Sequence, residues 1–175
     1  MMLRAAKSLA LCAAVLAIAG NARSTEVVSS NDEFLIVHDY SNISIAETQA
    51  KTTRLYIGDD QFVVAALPAA DQDEVRAIAI EGLKSKVQLV PRKQDANLIA
   101  QVRMDRTMNL GIRNPKRVPA HGLVMLSICN YPIAATIAGD CDNLTYFYFT
   151  DAKAGDIFRT VFGKWLNSKF PAAAK

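Results

Sequence analysis

The chain has 175 residues and a formal net charge of +3, and 51% of its residues are hydrophobic and 21% charged. This is the composition of an ordinary globular protein, which excludes an intrinsically disordered chain. The length is sufficient for one domain with a hydrophobic core of its own.

The first 22 residues have the layout of a secretory signal peptide. Arg4 and Lys7 form a basic start, residues 9–20 are an apolar run, and small residues follow up to Ala22. The run is shorter than the roughly 20 apolar residues that span a bilayer. We therefore predict cleavage after Ala22, which leaves residues 23–175 as a single domain, periplasmic or secreted, without stable membrane insertion.

This start also fits other interpretations. A membrane anchor or a buried helix is the alternative to a signal peptide, and cleavage after Ala19 or Ser24 also fits the small residues. Lipidation at Cys12 is not expected, because Leu11 stands where a lipoprotein signal has a small residue. Cleavage removes two cations and lowers the net charge from +3 to +1. Without a global basic field, we expect no nucleic-acid partner.

The next part of the chain predicts strands ahead of a helix. Residues 25–32 are polar and are expected to be a flexible start, whereas the apolar run 34–40 has the length of a strand. The segments RLYIG and QFVVAALP are rich in aromatic and β-branched residues, so they predict two strands around the acidic turn 58–60. Pro68 ends the second of them.

Residues 71–86 carry the clearest helical pattern. Asp71 and Glu74 have the spacing of a capping box. Apolar residues recur at three- and four-residue spacing on one face: Val75, Ile78, Ala79 and Leu83. A short strand is predicted at 87–91, so the strand before the helix, the helix and the strands after it form a βαβ-like unit with a right-handed crossover.

The second half of the chain predicts three long strands and a closing helix. The first, within 96–110, alternates between apolar and polar residues, as a half-buried strand does. A loop rich in proline and glycine follows at 111–122. The strand at 123–129 is apolar on both faces, which indicates a central position in the sheet. The strand at 143–150 is aromatic, and residues 151–170 form an amphipathic helix.

Taken in this order, the elements predict an α+β fold with two layers. We expect a mixed, mostly antiparallel sheet of about five to six strands, with two helices on one of its faces.

One segment resembles a known type of module. In LKSKVQLVPRKQDANLIAQVRM, residues 83–104, a helix ends, a short strand follows, and an Asp-Ala-x-Leu turn starts the next strand. This is similar to the amino-terminal domain of the Tol–Pal protein TolB and to the curli-secretion lipoprotein family. The resemblance implies an α/β module of the bacterial envelope that works by binding or assembly, and it implies no catalytic residues.

No motif of the chain points to catalysis, to a metal or to a cofactor. His38 and His121 are the only histidines, and the chain has neither H-E-x-x-H nor Cys-x-x-Cys. It also lacks G-x-S-x-G, a P-loop and G-x-G-x-x-G. The acidic turns GDD and GDCDN do not have the ligand spacing of a calcium loop. We therefore expect no catalytic residue, no metal site and no cofactor.

Cys129 and Cys141 are the two cysteines beyond the signal peptide. In an oxidising compartment, two such cysteines most often pair. Cys129 ends one predicted strand and Cys141 precedes the next, so a disulfide between them is expected. A metal site with these two cysteines as ligands would lack nearby histidines to complete it. A redox-active pair of cysteines would more often have the spacing Cys-x-x-Cys.

Two groups of residues are candidates for binding. The first is a basic stretch around the long loop with a single acid, Asp105: Arg103, Arg106, Arg113, Lys116, Arg117 and, beyond them, His121. The second is Tyr146 and Tyr148, which face the same side of their strand. If the helices cover the other side, with Phe147 and Phe149, the tyrosines face solvent and form a recognition face with the basic loop.

The function that these features favour is an envelope accessory protein that acts by binding or assembly, without catalysis. Its expected partner is an envelope protein or an anionic envelope glycan. Two alternatives remain open at this point. One is a small secreted enzyme, such as a hydrolase acting on an envelope glycan, and the other is a structural or stress-related envelope protein without a dedicated ligand.

Overall fold

The computed structural model describes residues 25–39, 53–106, 111–131 and 141–170. These residues form two layers, in which two helices pack on one face of a mixed, mostly antiparallel sheet. The predicted fold class is confirmed, but the sheet has eight strands instead of five to six. The predicted signal peptide lies outside the described residues. None of the helices in the described ranges has the length and apolar character that crossing a membrane requires.

The strands of the sheet follow one another along the chain in two groups. They are β1 (Thr25–Ser30), β2 (Phe34–Asp39), β3 (Arg54–Tyr56), β4 (Phe62–Val63), β5 (Gln88–Leu89), β6 (Leu98–Asp105), β7 (Gly122–Asn130) and β8 (Cys141–Tyr148). The helices are α1 (Ala69–Lys84) and α2 (Ala154–Lys169). In space the strand order is β1-β2-β8-β7-β6-β3-β5, and β4 also pairs with β6.

The predicted βαβ unit is present, with an interrupted first strand. Both β3 and β4 run parallel to β6, with Tyr56 opposite Ile99 and Phe62 opposite Val102. Between them the acidic turn forms a short 3-10 helix, Asp59–Gln61. The chain then passes through α1 and returns as β5, which pairs in parallel with β3 on the other side.

The two longest pairings of the sheet join β6, β7 and β8 in an antiparallel meander. Their side chains alternate between two faces, as the sequence of β6 predicted. The face that packs against the helices is lined by buried side chains: Leu98, Ala100, Val102, Met104, Val124, Leu126, Ile128, Leu144, Tyr146 and Tyr148. The expectation that β7 is central is also confirmed, because it has β6 on one side and β8 on the other.

Helix α2 supplies most of the apolar surface of the helical layer. Its buried side chains include Ile157, Phe158, Val161, Phe162, Trp165 and Leu166. Helix α1 lies against it, and Gly82 allows the close approach. A Cβ atom at Gly82 would come within 2.7 Å of Phe162 Cε1. The glycine, which weakens the helix by propensity alone, is therefore explained by the packing of the two helices.

The beginning of α1 differs from the sequence prediction. The helix starts at Ala69, directly after Pro68, and no side chain caps it. Instead, the backbone N–H of Gln72 donates to the Pro68 carbonyl, 3.0 Å away. Asp71 lies in the first turn rather than before it, so the predicted capping box was wrong. The carboxylate still stands where the helix dipole favours a negative charge.

The segment expected to be a flexible start is an ordered strand. Most of it forms β1, which pairs antiparallel with β2 and places Val27 opposite Val37. Asn31 fixes the connection between them, because its Oδ1 accepts the N–H groups of Glu33 and Phe34 at 2.8 and 2.7 Å. No apolar alternation marks this segment in the sequence, because β1 is an edge strand whose described side chains are exposed.

The predicted disulfide is present. Cys129 stands directly opposite Cys141 in the β7–β8 pairing, with a Cα–Cα distance of 4.0 Å and a bond between the two sulfur atoms. The two cysteines are 12 positions apart in the sequence. In the chain-entropy model, closing a loop of that size stabilises the fold by roughly 3 kcal/mol. The bond thus fixes the end of the β7–β8 pairing.

Candidate functional site

The second part of the loop between β6 and β7 is folded into a tight turn. Residues 112–120, here called the basic hairpin, are closed by backbone hydrogen bonds from Ala120 to Ile112 and from Asn114 to Val118, both 2.9 Å long. A third runs from the Arg117 N–H to the Asn114 carbonyl, 2.8 Å. The local sequence explains this turn, since asparagine is favoured at its first position and proline at its second.

Asn114 fixes the basic hairpin to the body of the protein. Its side chain is only 7% exposed, its Nδ2 donates to the carbonyl of Asp32 at 2.9 Å, and its Oδ1 accepts the Val118 N–H at 2.8 Å. Asp32 belongs to the connection between β1 and β2. The hairpin is therefore held by a buried and satisfied amide, and its exposed side chains project from a defined backbone.

Arg117 adopts a backbone conformation that arginine rarely takes. Its φ is +64°, and it is the one residue other than glycine with positive φ in the described ranges. The left-handed conformation costs an L-residue with a Cβ atom roughly 1–2 kcal/mol. Such a cost at an exposed turn motivates a functional hypothesis for the side chain.

The charges of the hairpin are only partly compensated. Lys116 Nζ lies 2.7 Å from Asp32 Oδ2, and this hydrogen bond raises the pKa of the lysine. Arg113 donates to the carbonyl of Arg117 at 2.9 Å. Among the described residues, neither arginine has a carboxylate within 4.0 Å, so two exposed guanidinium groups are left for a partner.

The other two arginines of the predicted stretch are engaged elsewhere. Arg106 donates to the Ala152 carbonyl at 2.7 Å and lies 3.8 Å from Asp151. Arg103 lies on the sheet face away from the helices, 3.9 Å from Asp105. The sequence showed one acid near the basic stretch, but the fold brings in Asp32 and Asp151 from distant positions.

His121 follows the basic hairpin and leads into β7. Its side chain is exposed, and its backbone N–H donates to the Tyr148 carbonyl at 2.8 Å. The structure thus brings His121 and three of the predicted cations, Arg113, Lys116 and Arg117, onto one short segment.

The expectation that Tyr146 and Tyr148 face solvent was wrong. They are 4% and 0% exposed, on the face of β8 that packs against the helices. Phe147, expected in the core, is on the opposite face and half-buried. The Tyr148 hydroxyl finds a partner at the end of the sheet, where it donates to the Asp105 carbonyl at 3.2 Å. A surface containing these two tyrosines is therefore not available for recognition.

Burial also changes the acidity of the two phenols. It raises the pKa of Tyr146 to about 12. It raises that of Tyr148 to about 12 as well, against the opposing effect of the nearby Arg106. Both values reflect the cost of a phenolate in an apolar environment.

His38 and Asp142 form a buried polar cluster that the sequence did not reveal. His38 Nε2 lies 2.6 Å from one carboxylate oxygen of Asp142, and Lys169 of α2 forms an ion pair with the other oxygen. The three side chains are largely buried and link β2, β8 and α2. The sequence predicts a turn at Asp142, because its neighbours Gly139, Asp140 and Asn143 are typical turn residues.

The arrangement of this cluster favours a structural role. Both oxygens of Asp142 are already engaged by His38 and Lys169, so the carboxylate is not available as a base for an external group. Across the residues that the structure describes, no group of three or more His, Cys, Asp or Glu side chains could hold a metal ion.

No protein-family model and no curated protein matches the chain. Among solved structures, a PelC dodecamer from Paraburkholderia phytofirmans has a TM-score of 0.45 and 10% identity, over 81% of this chain and 99% of that one. A DUF4136 family protein from Bacteroides thetaiotaomicron has a TM-score of 0.45 and 15% identity, over 80% of this chain and 95% of that one. The resemblance of residues 83–104 to envelope modules stays a prediction.

The buried tyrosines predict a loss of stability at alkaline pH. In the unfolded chain they ionise near pH 10, and in the folded protein near pH 12. The contribution of the two neutral phenols to the free energy of unfolding is therefore complete below pH 10. It is lost as the pH rises through 10 towards 12, because the unfolded chain then ionises first. Urea unfolding should show a smaller alkaline loss of stability in Tyr146→Phe than in the wild type. An alkaline loss of stability in Tyr146→Phe equal to that of the wild type would contradict the assignment.

The positive φ of Arg117 predicts opposite effects for two small residues. Arg117→Gly removes the unfavourable contacts of Cβ, whereas Arg117→Ala retains them. We expect the glycine variant to be more stable than the alanine variant by about 1 kcal/mol in chemical denaturation. Both variants lack the guanidinium group, so the difference reports the backbone alone. An alanine variant as stable as the glycine variant would show that Arg117 does not hold this conformation in solution.

Proposed function

We propose that this protein is exported and acts as an envelope accessory that binds an anionic partner through the basic hairpin, without catalysis. The partner is an envelope protein or an anionic glycan of the envelope. The observation that carries the proposal is Arg117, an exposed arginine at a position whose backbone conformation favours glycine.

The chemistry of the hairpin suits a carboxylate or a phosphate. A guanidinium group presents its donors in a planar fork that pairs with either anion through two parallel hydrogen bonds. Arg113 and Arg117 belong to one turn, and the carbonyl of Arg117 accepts a hydrogen bond from Arg113. The two side chains are therefore displayed together, with His121 beyond them as a further donor.

The rigid backbone of the hairpin favours binding for a second reason. A flexible basic loop loses conformational entropy when it binds, which reduces its affinity. Here the hydrogen bonds of Asn114 hold the turn before any partner arrives. The cost of ordering is thus confined mainly to the arginine side chains.

The strained conformation of Arg117 supports a role for its side chain rather than for its backbone. Glycine would take the same conformation without the steric cost. An arginine at this position is explained if its guanidinium group contributes to binding, since an exposed side chain adds little to the stability of the fold.

The proposal is tested by retention of the purified protein on isolated peptidoglycan and on immobilised lipopolysaccharide. For Arg113→Gln/Arg117→Gln we expect at least tenfold weaker retention, which corresponds to about 1.4 kcal/mol. Bound wild-type protein should elute as the salt concentration rises, since salt screens exposed charges.

A second double variant provides the matched control. Arg92→Gln/Arg159→Gln removes the same number of charges from two other exposed arginines, which pair with Asp95 and Glu74. Its retention should equal that of the wild type. If both double variants lost retention to the same extent, the binding would reflect unspecific attraction between the cations of the protein and the glycan. If neither glycan retains the wild type, crosslinking in envelope extracts should capture a partner protein through the hairpin. If the protein is neither retained on a glycan nor crosslinked to a partner, the alternative of an envelope protein without a dedicated ligand is favoured.

A further inference from the structure

Asp32 neutralises one of the three cations of the basic hairpin. Its Oδ2 lies 2.7 Å from Lys116 Nζ, and the side chains of Lys116 and Asp32 are 70% and 52% exposed. Within the ranges that the structure describes, Arg113 and Arg117 have no such carboxylate partner. The lysine is therefore withheld from a binding partner, whereas the two guanidinium groups are not.

The ion pair is held in place from both sides. The carbonyl of Asp32 accepts the hydrogen bond from Asn114 Nδ2 at 2.9 Å, and Asn114 belongs to the same turn as Lys116. On the other side, Asn31 Oδ1 accepts two backbone hydrogen bonds within the connection that contains Asp32. An exposed ion pair is usually weak, because ordering two side chains costs entropy. Here both backbones are fixed before the pair forms, so less of that cost remains.

Withholding a lysine affects different anions unequally. The electrostatic energy between two groups is proportional to the product of their charges. A carboxylate carries one negative charge, whereas a phosphate monoester carries about 1.5 to 2 at neutral pH. An ammonium group binds phosphate as a point charge, whereas the planar fork of a guanidinium group pairs with a carboxylate as well as with a phosphate. The pairing of Lys116 with Asp32 therefore weakens the binding of a phosphate more than that of a carboxylate.

We propose that Asp32 is a specificity-determining residue of the basic hairpin, which weakens the binding of phosphate monoesters more than that of carboxylates and so adapts the hairpin to a partner that carries carboxylates. This inference rests on the proposed function, because it concerns the partner of the same hairpin. The carboxylates can belong to the sugar acids of a glycan or to the acidic side chains of a protein, and the hairpin meets the same chemistry in both.

The specificity is tested at low ionic strength with beads that carry glucuronate, glutamate or glucose 6-phosphate at equal density. Asp32→Asn releases Lys116 but keeps the backbone carbonyl that holds Asn114. Removing a unit charge about 7 Å from a bound anion in water changes the dissociation constant by a factor of about three, and a double charge squares this factor. We therefore expect Asp32→Asn to bind both carboxylate beads about threefold, and the phosphate beads about ninefold, more tightly than the wild type does. The carboxylate that the wild type binds more tightly distinguishes a glycan from an acidic protein as the source.

Two further variants show where the change originates. Asp59→Asn removes the same charge from another exposed aspartate, which lies 2.7 Å from Arg76, and it should leave all three dissociation constants unchanged. In Asp32→Asn/Lys116→Gln both charges of the ion pair are absent, so the dissociation constants should return to those of the wild type. Circular dichroism should show that every variant is folded.

The inference and the proposed function fail in different ways. If Asp32→Asn gains no affinity, gains equally on all beads, or keeps its gain without Lys116, the inference is overturned. The proposed function still stands in that case, provided that Arg113→Gln/Arg117→Gln no longer binds the beads. If that double variant binds as tightly as the wild type, or if the wild type binds none of the beads, the proposed function fails together with the inference.

Discussion

The alternation of side chains along β6, β7 and β8 is the constraint on which the rest of the structure depends. One face of this meander carries the apolar residues that pack against α1 and α2, and the register leaves no freedom to exchange the faces. The same register places Cys129 opposite Cys141. At the other end of the meander, it brings together the end of β6 and the start of β7. The basic hairpin belongs to the connection between these two strand ends.

Much of the fold was predictable because its pattern is local. The helical faces, the alternation of β6 and the apolar character of β7 are visible in short windows of sequence. Three features were not. Strand β1 has no apolar face to reveal it, and the start of α1 depends on Pro68 rather than on a capping side chain. The side of β8 that the helices cover was also not fixed by local pattern, because both sides of that strand are aromatic.

The candidate site was predictable in its residue types but not in its charge balance. The run of cations around the long loop is evident in the sequence, whereas the acids that compensate Lys116 and Arg106 come from positions 32 and 151. Only the fold shows that Arg113 and Arg117 lack such a partner among the described residues. The pair Asn114 and Pro115 was a signal for the turn, since this order favours a tight turn over an extended loop.

The proposed function depends on a contact between the basic hairpin and the partner. Hydrogen exchange of the protein, free and bound to an envelope fraction that retains it, locates this contact without a substitution. We predict slower exchange in residues 112–121 on binding, with the amides of β5 and the middle of α2 unchanged. Slower exchange confined to another surface, with the hairpin unaffected, would contradict the proposed function.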